Sequence, residues 1–357
     1  MKRLSLASYA PLLGVLVLGL ALRLLLWNNL PRPGLISDEG EYLAAATWLA
    51  QGRNFSWYLG YLWTRAPVYA LFVAAHLFLF DDLRAVYVTQ IAFSLLNVVL
   101  VYALCQSITQ LTTHRFRTAS IAALLMALYL PFATFTQVLL SETLYLTLLL
   151  GGFLALVRAS ALSPQPSAFS PQPSALSPRV GWVALAGVLF GLATLTRSLT
   201  LAFLPLAALW VAGIGHSAPR DWWRLTRRGV LSGAVFLACA GALILPWTVY
   251  NSVRLYDGLV VVDTSGAFNL LLGARTAYDS GRNDAATRDF VLILLGQKEA
   301  SKLTTPACAT LPAPLPSSQA ARQSAMTREG LCLIGAKPLA FIQKSLGELV
   351  DLFQINY

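Results

Sequence analysis

Charge is what this chain of 357 residues has least of: Asp, Glu, Lys and Arg make up 12% of it, about half the share usual in a soluble domain. That scarcity, with 57% hydrophobic residues, excludes an ordinary soluble core. A bilayer can absorb such a composition, and the apolar residues come in runs close to the roughly 20 that span its hydrocarbon. Histidine is nearly missing too: His76, His114 and His216 are scattered, which argues against a histidine metal cluster. The four cysteines have no metal-ligand spacing. Cys105 and Cys239 lie inside apolar runs, whereas Cys308 and Cys332 lie in a polar region and can pair if it faces an oxidising compartment. A Walker-type phosphate loop, a dinucleotide fingerprint and a Gly-x-Ser-x-Gly elbow are all missing, which disfavours nucleotide-driven and serine-nucleophile chemistry.

The net charge is +10, but its Lys and Arg residues form no single stripe, so nucleic acid is not the partner they indicate. They cluster between apolar runs, as topology signals do. Those runs lie at 10–27, 66–80, 84–106, 118–136, 140–157, 180–195, 199–214 and 229–247. If 66–80 crossed the membrane, Arg115/Arg117 and the cluster Arg220, Arg224, Arg227 and Arg228 would face outward. As a helix its fifteen residues reach about 22 Å, short of the ~30 Å core. Placed in the outer interface instead, it leaves Lys2/Arg3, Arg115/Arg117, Arg158/Arg179 and the 220–228 cluster all inside.

The expectation is therefore an all-α integral membrane protein of about seven transmembrane helices, with a cytoplasmic N-terminus and an uncleaved first span. Residues 1–247 form the membrane module, with a first outer loop over 28–83 that carries interfacial helices. Residues 159–179, with a repeated Ser-Pro-Gln-Pro-Ser-Ala, form a cytoplasmic low-complexity linker. Residues 248–357 form a small, mixed extracytoplasmic segment: a short strand at 260–263, a Pro-rich loop at 306–318 and an amphipathic helix at 338–353.

The first outer loop holds the densest chemistry, Ser37-Asp38-Glu39-Gly40-Glu41-Tyr42. Asp38 with Glu41 three residues later is a capping-box-like start for a helix whose apolar face is Tyr42, Ala45, Ala46 and Leu49, closed by Gly52. Two readings of Asp38 stay open, a helix cap and a site carboxylate, and Glu39 and Glu41 bring more negative charge than a cap needs. Trp48, Trp57, Tyr58, Tyr61 and Trp63 fit an aromatic interface belt, with sugar stacking as the other use. Arg65 either snorkels to headgroups or holds a phosphate. Arg197 has the same two readings, and Arg23 fits snorkelling better. Glu142 in Ser141-Glu142-Thr143 starts a span, as dipole complement or as a second acidic group on the side of Asp38.

Five motifs in this order resemble those of the GT-C glycosyltransferases related to protein O-mannosyltransferases and lipid A aminoarabinose transferase. They are Ser37-Asp38-Glu39-x-x-Tyr42, Arg65-Ala66-Pro67-Val68-Tyr69, Leu140-Ser141-Glu142-Thr143-Leu144, Leu195-Thr196-Arg197 and Leu245-Pro246-Trp247-Thr248-Val249-Tyr250-Asn251. The resemblance implies a GT-C module in the cell membrane, with an extracytoplasmic active site. It would move a sugar from a polyprenyl-phosphate donor to a hydroxyl of a lipid, glycan or protein acceptor, with inversion. By motif match Asp38 would be the base, with Glu39 beside it and Glu142 at the second-loop acidic position. Arg65 would contact the donor phosphate, and Tyr42, Arg197 and Asn251 would line the substrate side. The sequence indicates no cofactor; a divalent cation is compatible with the family but unsupported by any ligand spacing. Such relatives continue with further helices, so the chain is expected to be a shortened member. The rivals are a lipid-linked sugar carrier, an inactive accessory subunit and, more remotely, a hydrolase pairing Asp38 with Glu142.

Overall fold

In the computed structural model the described residues are helices and turns with no strand. The structure describes residues 10–27, 29, 34–35, 38–109, 114–161, 178–213, 227–277, 284–299, 308, 311 and 314–351. Lys2, Arg3, Ser37, His216, Arg220, Arg224 and most of the expected linker lie outside that set. Two compact units emerge, one from residues 1–54 and 66–246, the other from 55–65 and 247–357.

The first unit contains α1 (Ala10–Leu25), α2 (Glu39–Ala50), α3 (Pro67–Phe80), α4 (Leu83–Ile108), α5 (Arg115–Leu128) and α6 (Leu130–Thr134). It continues with α7 (Glu142–Ala161), α8 (Pro178–Thr196), α9 (Leu204–Gly213) and most of α10 (Arg227–Tyr250). Four described helices are long and apolar enough to cross a bilayer, and a bent pair makes a fifth. α1 and the segment Ser198–Gly213 are apolar but shorter than 18 residues.

Helix ends follow local chemistry. α3 stops where Asp81 takes a left-handed φ of 49°, and Asp82 then caps α4 by accepting from the Arg84 N–H at 2.8 Å. α3 is tied to α4 by two side-chain hydrogen bonds. Its Tyr69 hydroxyl donates to Gln90 at 2.9 Å, while His76, seven residues on, meets Thr89 at 2.9 Å.

The run expected to be one span over 118–136 is broken: α5 and the piece Leu130–Gln137 meet at 60°. Pro131 is the cause. It has no N–H for the carbonyl of Ala127, four residues back, and its ring would strike that carbonyl. The freed Ala127 oxygen accepts from Arg23 Nη1 at 3.1 Å. Arg23 is fully buried and also donates to Ser94 Oγ, from Nε at 3.0 Å and Nη2 at 2.7 Å, and to the Gly19 carbonyl at 2.8 Å. The snorkelling expectation is thereby corrected: its guanidinium turns inward because a broken helix offers a bare carbonyl there. Gly19 has no side chain to obstruct this, since a Cβ would lie 3.3 Å from both Ala127 Cβ and Arg23 Nη1.

Close approach recurs where α8 meets α10. A Cβ on Gly187 would lie 2.4 Å from the Phe236 carbonyl, and one on Gly191 would lie 3.1 Å from Ala240. This is the small-xxx-small packing that membrane helices use.

The second unit adds the end of α10, α11 (Ser265–Arg275), α12 (Asp284–Leu294), α13 (Gln319–Ala336) and α14 (Pro338–Asp351). Its core includes Phe268, Leu271, Phe290, Leu294, Met326 and Leu333. The strand expected at 260–263, and so the mixed character of this segment, is corrected. Its carbonyls are taken by side chains of the preceding helix end: Trp247 Nε1 and Asn251 Nδ2 donate to Val262, and Thr248 Oγ1 to Val261. Of the residues at 57–63 expected to fit an aromatic interface belt, part packs inward. Tyr58 and Leu62 are buried, and Trp63 stacks on Phe268 at 4.5 Å. Thr64 and Thr264 exchange two hydrogen bonds of 2.9 Å each, N–H to Oγ1 in both directions. The expected amphipathic helix near the end of the chain is present as α14.

Cys308 and Cys332 form a disulfide that closes a loop with a sequence separation of 24. Replacing both with serine is expected to lower the stability of this unit by about 3 kcal/mol. Thermal unfolding followed by near-ultraviolet circular dichroism checks this, and an unchanged midpoint would show that the bridge constrains nothing.

Candidate functional site

Within the first unit the loop over 135–142 is the hub. α4 presents Gln90, Ser94 and Asn97 on one face, spaced four and three residues apart, and all are buried. Gln90 Nε2 donates to the carbonyls of Thr136 at 3.1 Å and Val138 at 3.0 Å, and Asn97 Nδ2 to that of Thr143 at 3.3 Å. From the loop itself, Gln137 Nε2 donates to the Arg23 carbonyl at 2.9 Å. A single 3-10 turn and the irregular stretch that follows it are thus held by side chains of α4 and by the end of α1.

The first outer loop docks onto this hub. Glu39, in the first turn of α2, is fully buried, and its Oε1 accepts from the Leu139 N–H at 2.8 Å. Tyr42, Ala45 and Ala46 are buried as expected, and Tyr42 meets the Tyr69 ring edge-on at 4.8 Å. Gly52 follows α2 with φ 76°, as a helix-closing glycine does. Asp38 precedes the helix but its side chain makes no cap hydrogen bond, so the capping-box expectation is corrected. Its backbone is itself helical, φ −78° and ψ −6°, which keeps the carboxylate from the extended geometry a cap requires. Asp38 is half-buried.

Glu142 opens α7 and Arg197 follows α8, so the antiparallel pair brings them together. Arg197 Nη1 bonds to Glu142 Oε1 in a short ion pair and reaches Ser141 Oγ at 3.5 Å. Burial works against the cation, but the charge and hydrogen bond of Glu142 more than offset it, and the Arg197 pKa is raised. Arg197 therefore stays charged at every physiological pH. The other oxygen, Glu142 Oε2, is buried without a hydrogen-bond partner among the described residues. Beside the pair, the Tyr145 and Thr200 hydroxyls lie 2.9 Å apart, and the Tyr145 ring is 6.0 Å from the Arg197 guanidinium carbon. Burial, then the negative potential of Tyr42, Glu142, Tyr87 and Glu39, pushes the Tyr69 phenol well above its ordinary pKa. Tyr69 thus remains a hydrogen-bond donor.

The structure therefore brings Glu39 and Tyr42 to the 135–142 loop and pairs Glu142 with Arg197. Arg65 and Asn251 belong to the second unit. There the Arg65 guanidinium carbon is 5.7 Å from the Trp63 ring centroid. Asn251 is fully buried, and its Nδ2 is committed to Val262. Gln90, Tyr69, Tyr145 and Thr200 were not among the expected site residues. The polar i, i+4, i+7 spacing of Gln90, Ser94 and Asn97 inside an apolar run is a signal that points to α4. Among the described residues no group of three or more His, Cys, Asp or Glu side chains is arranged to hold a metal. Compared with protein-family models, curated proteins and solved structures, the chain has no match.

Proposed function

We propose that this chain is a membrane glycosyltransferase acting on a polyprenyl-phosphate sugar at the extracytoplasmic face. The observation that carries the proposal is the charge arrangement at one end of the α7–α8 pair. Glu142 and Arg197 meet there, the buried Glu142 Oε2 still needs a donor, and the adjoining loop receives Glu39. A buried acceptor without a donor suits a ligand hydroxyl. A fixed, always-charged arginine suits a phosphate. The motif resemblance supplies the substrate class.

In this reading an acceptor hydroxyl attacks the anomeric carbon as the carbon–oxygen bond to the lipid phosphate breaks. The hydroxyl proton passes to Asp38, the lipid phosphate leaves with the bonding pair, and the centre inverts. Arg197 stabilises the negative charge of the leaving phosphate. Glu142 orients both Arg197 and a sugar or acceptor hydroxyl.

Orientation follows from the positive-inside rule. Arg158 and Arg179 lie at the opposite end of the α7–α8 pair from Glu142 and Arg197, and Arg115 and Arg117 begin α5. Assigning those basic ends to the cytoplasm puts the acidic end outside. A seven-span module then counts α1 and Ser198–Gly213 as short spans. Six 3-10 residues and ten α residues give the latter about 27 Å, close to a full crossing. α3, too short for a full crossing, lies in the interface. The Cys308–Cys332 bridge fits an oxidising compartment.

The carrier alternative needs a polar site near the bilayer midplane. Among the buried polar groups of α1 and α4, Arg23 and Ser94 spend their hydrogen bonds on each other and on backbone carbonyls, and Gln90 and Asn97 donate to backbone carbonyls of the loop and of α7. The test is transfer by the purified protein in liposomes, assayed with a panel of radiolabelled polyprenyl-phosphate hexoses and pentoses. Arg197→Met is expected to lower turnover by about 10²–10³-fold, the cost of one transition-state donor. No transfer from any donor by the wild-type protein, folded by its melting curve, would overturn the proposal.

A further inference from the structure

In α14 the aliphatic side chains form an outward stripe while the lysine turns inward. Leu339, Ile342, Leu346 and Leu349 recur at helical spacing and are 73%, 52%, 59% and 52% exposed. The charged Lys344 points the other way, with its side chain only 18% exposed. Its ammonium stands 5.4 Å from the centroid of the half-buried Phe341 ring and 2.8 Å from Glu348. A Cβ added at Gly273 of α11 would meet the same ammonium at 3.5 Å. The helix therefore packs its lysine against its own unit and turns four large aliphatic side chains out.

In water that arrangement runs against the hydrophobic effect, because four large aliphatic side chains in one stripe stay exposed. It is favoured only where the surroundings are apolar. The bilayer is the apolar phase this chain already uses: the 27-residue stretch Gly229–Leu255 of α10 and its continuation, with a mean hydropathy of 2.1, leads directly into this unit. On α10 the aliphatic side chains Leu231, Leu237 and Leu245 are exposed in the same way, 64%, 43% and 61%. With Gln343, Lys344 and Glu348 on the side away from or flanking its aliphatic stripe, the helix can lie in the boundary between headgroups and acyl chains.

We propose that α14 is an interfacial helix, with Leu339, Ile342, Leu346 and Leu349 inserted into the acyl boundary, anchoring the second unit to the membrane surface. The inference rests on α10 being a membrane span and not on the glycosyltransferase reading.

The experiment uses the full chain in phosphatidylcholine–phosphatidylglycerol nanodiscs, with Cys105 and Cys239 changed to serine and the disulfide intact. A single cysteine at Ile342, Leu346 or Glu348 carries an environment-sensitive fluorophore, and one at Leu237 in α10 serves as the control. Nitroxide lipids labelled at a shallow acyl position are expected to quench positions 342 and 346 at least three-fold more than position 348. If the Leu237 label is quenched but those at 342 and 346 are not, α14 stands clear of the bilayer and the proposal fails. If the Leu237 label is not quenched either, the membrane reading of α10 fails, and this inference falls with it. Disulfide-linked dimers of Leu346→Cys on mild oxidation of unlabelled protein, in discs large enough for two copies, would show that a second copy covers the stripe, which also overturns it.

Discussion

Asp38→Asn is expected to lower sugar transfer by about 10²–10⁴-fold, the usual loss on removing a general base, with little change in melting temperature. The stability half of that expectation comes from the structure. Asp38 is half-buried and its side chain does not cap α2, and asparagine keeps its size and one acceptor oxygen. Its neighbour behaves differently. Glu39 is buried and its Oε1 holds the Leu139 N–H, which ties the start of α2 to the 135–142 loop. Glu39→Gln keeps an acceptor oxygen and should fold normally. Glu39→Ala strands a buried donor at a cost of about 1–3 kcal/mol, and the loop should loosen. Measured side by side, these variants separate chemistry from positioning. Near wild-type transfer by Asp38→Asn would falsify its assignment as the base.

Arg23→Leu is expected to destabilise the first unit by about 3 kcal/mol, read as a lowered thermal midpoint in a single detergent. Arg23 joins three helices through one planar group: Gly19 on its own α1, Ser94 on α4, and Ala127 at the end of α5. The leucine leaves the Ala127 carbonyl, already deserted by Pro131, without its guanidinium donor. Arg23→Lys keeps the charge but cannot serve these acceptors from one plane, so it should recover only part of the loss. The bend also sets the direction of the 135–142 loop, so Arg23→Leu should reduce transfer through a displaced Glu142 without touching substrate. An Arg23→Leu protein that melts with the wild type would show that the bend holds itself.

Composition and periodicity by themselves established that the chain is helical and apolar enough for a membrane. They also placed the helix starting beside Asp38, its buried face at Tyr42, Ala45 and Ala46, the closing Gly52, and the amphipathic α14. Each of these depends on residues within a turn or two of one another, where spacing alone carries the information. Glu39 was legible in part, since it lies three residues before Tyr42 on the same stripe; what it bonds to was not.

Tertiary structure alone decided which long-range partner each polar group found. Pro131 announces a bend, but only the packing of α1 against α5 shows that Arg23 fills the carbonyl it frees, 104 residues away. Trp247, Thr248 and Asn251 form a local motif, yet their role in holding 260–263 out of strand geometry appears only once that segment folds back. The aromatics at 57–63 have the composition of a membrane belt, and it is stacking on Phe268 that packs Trp63 against the core of the second unit. The physical reason is common to all of these. A buried hydrogen-bonding group must be satisfied, but its partner is chosen by where the chain returns, and no local spacing encodes that.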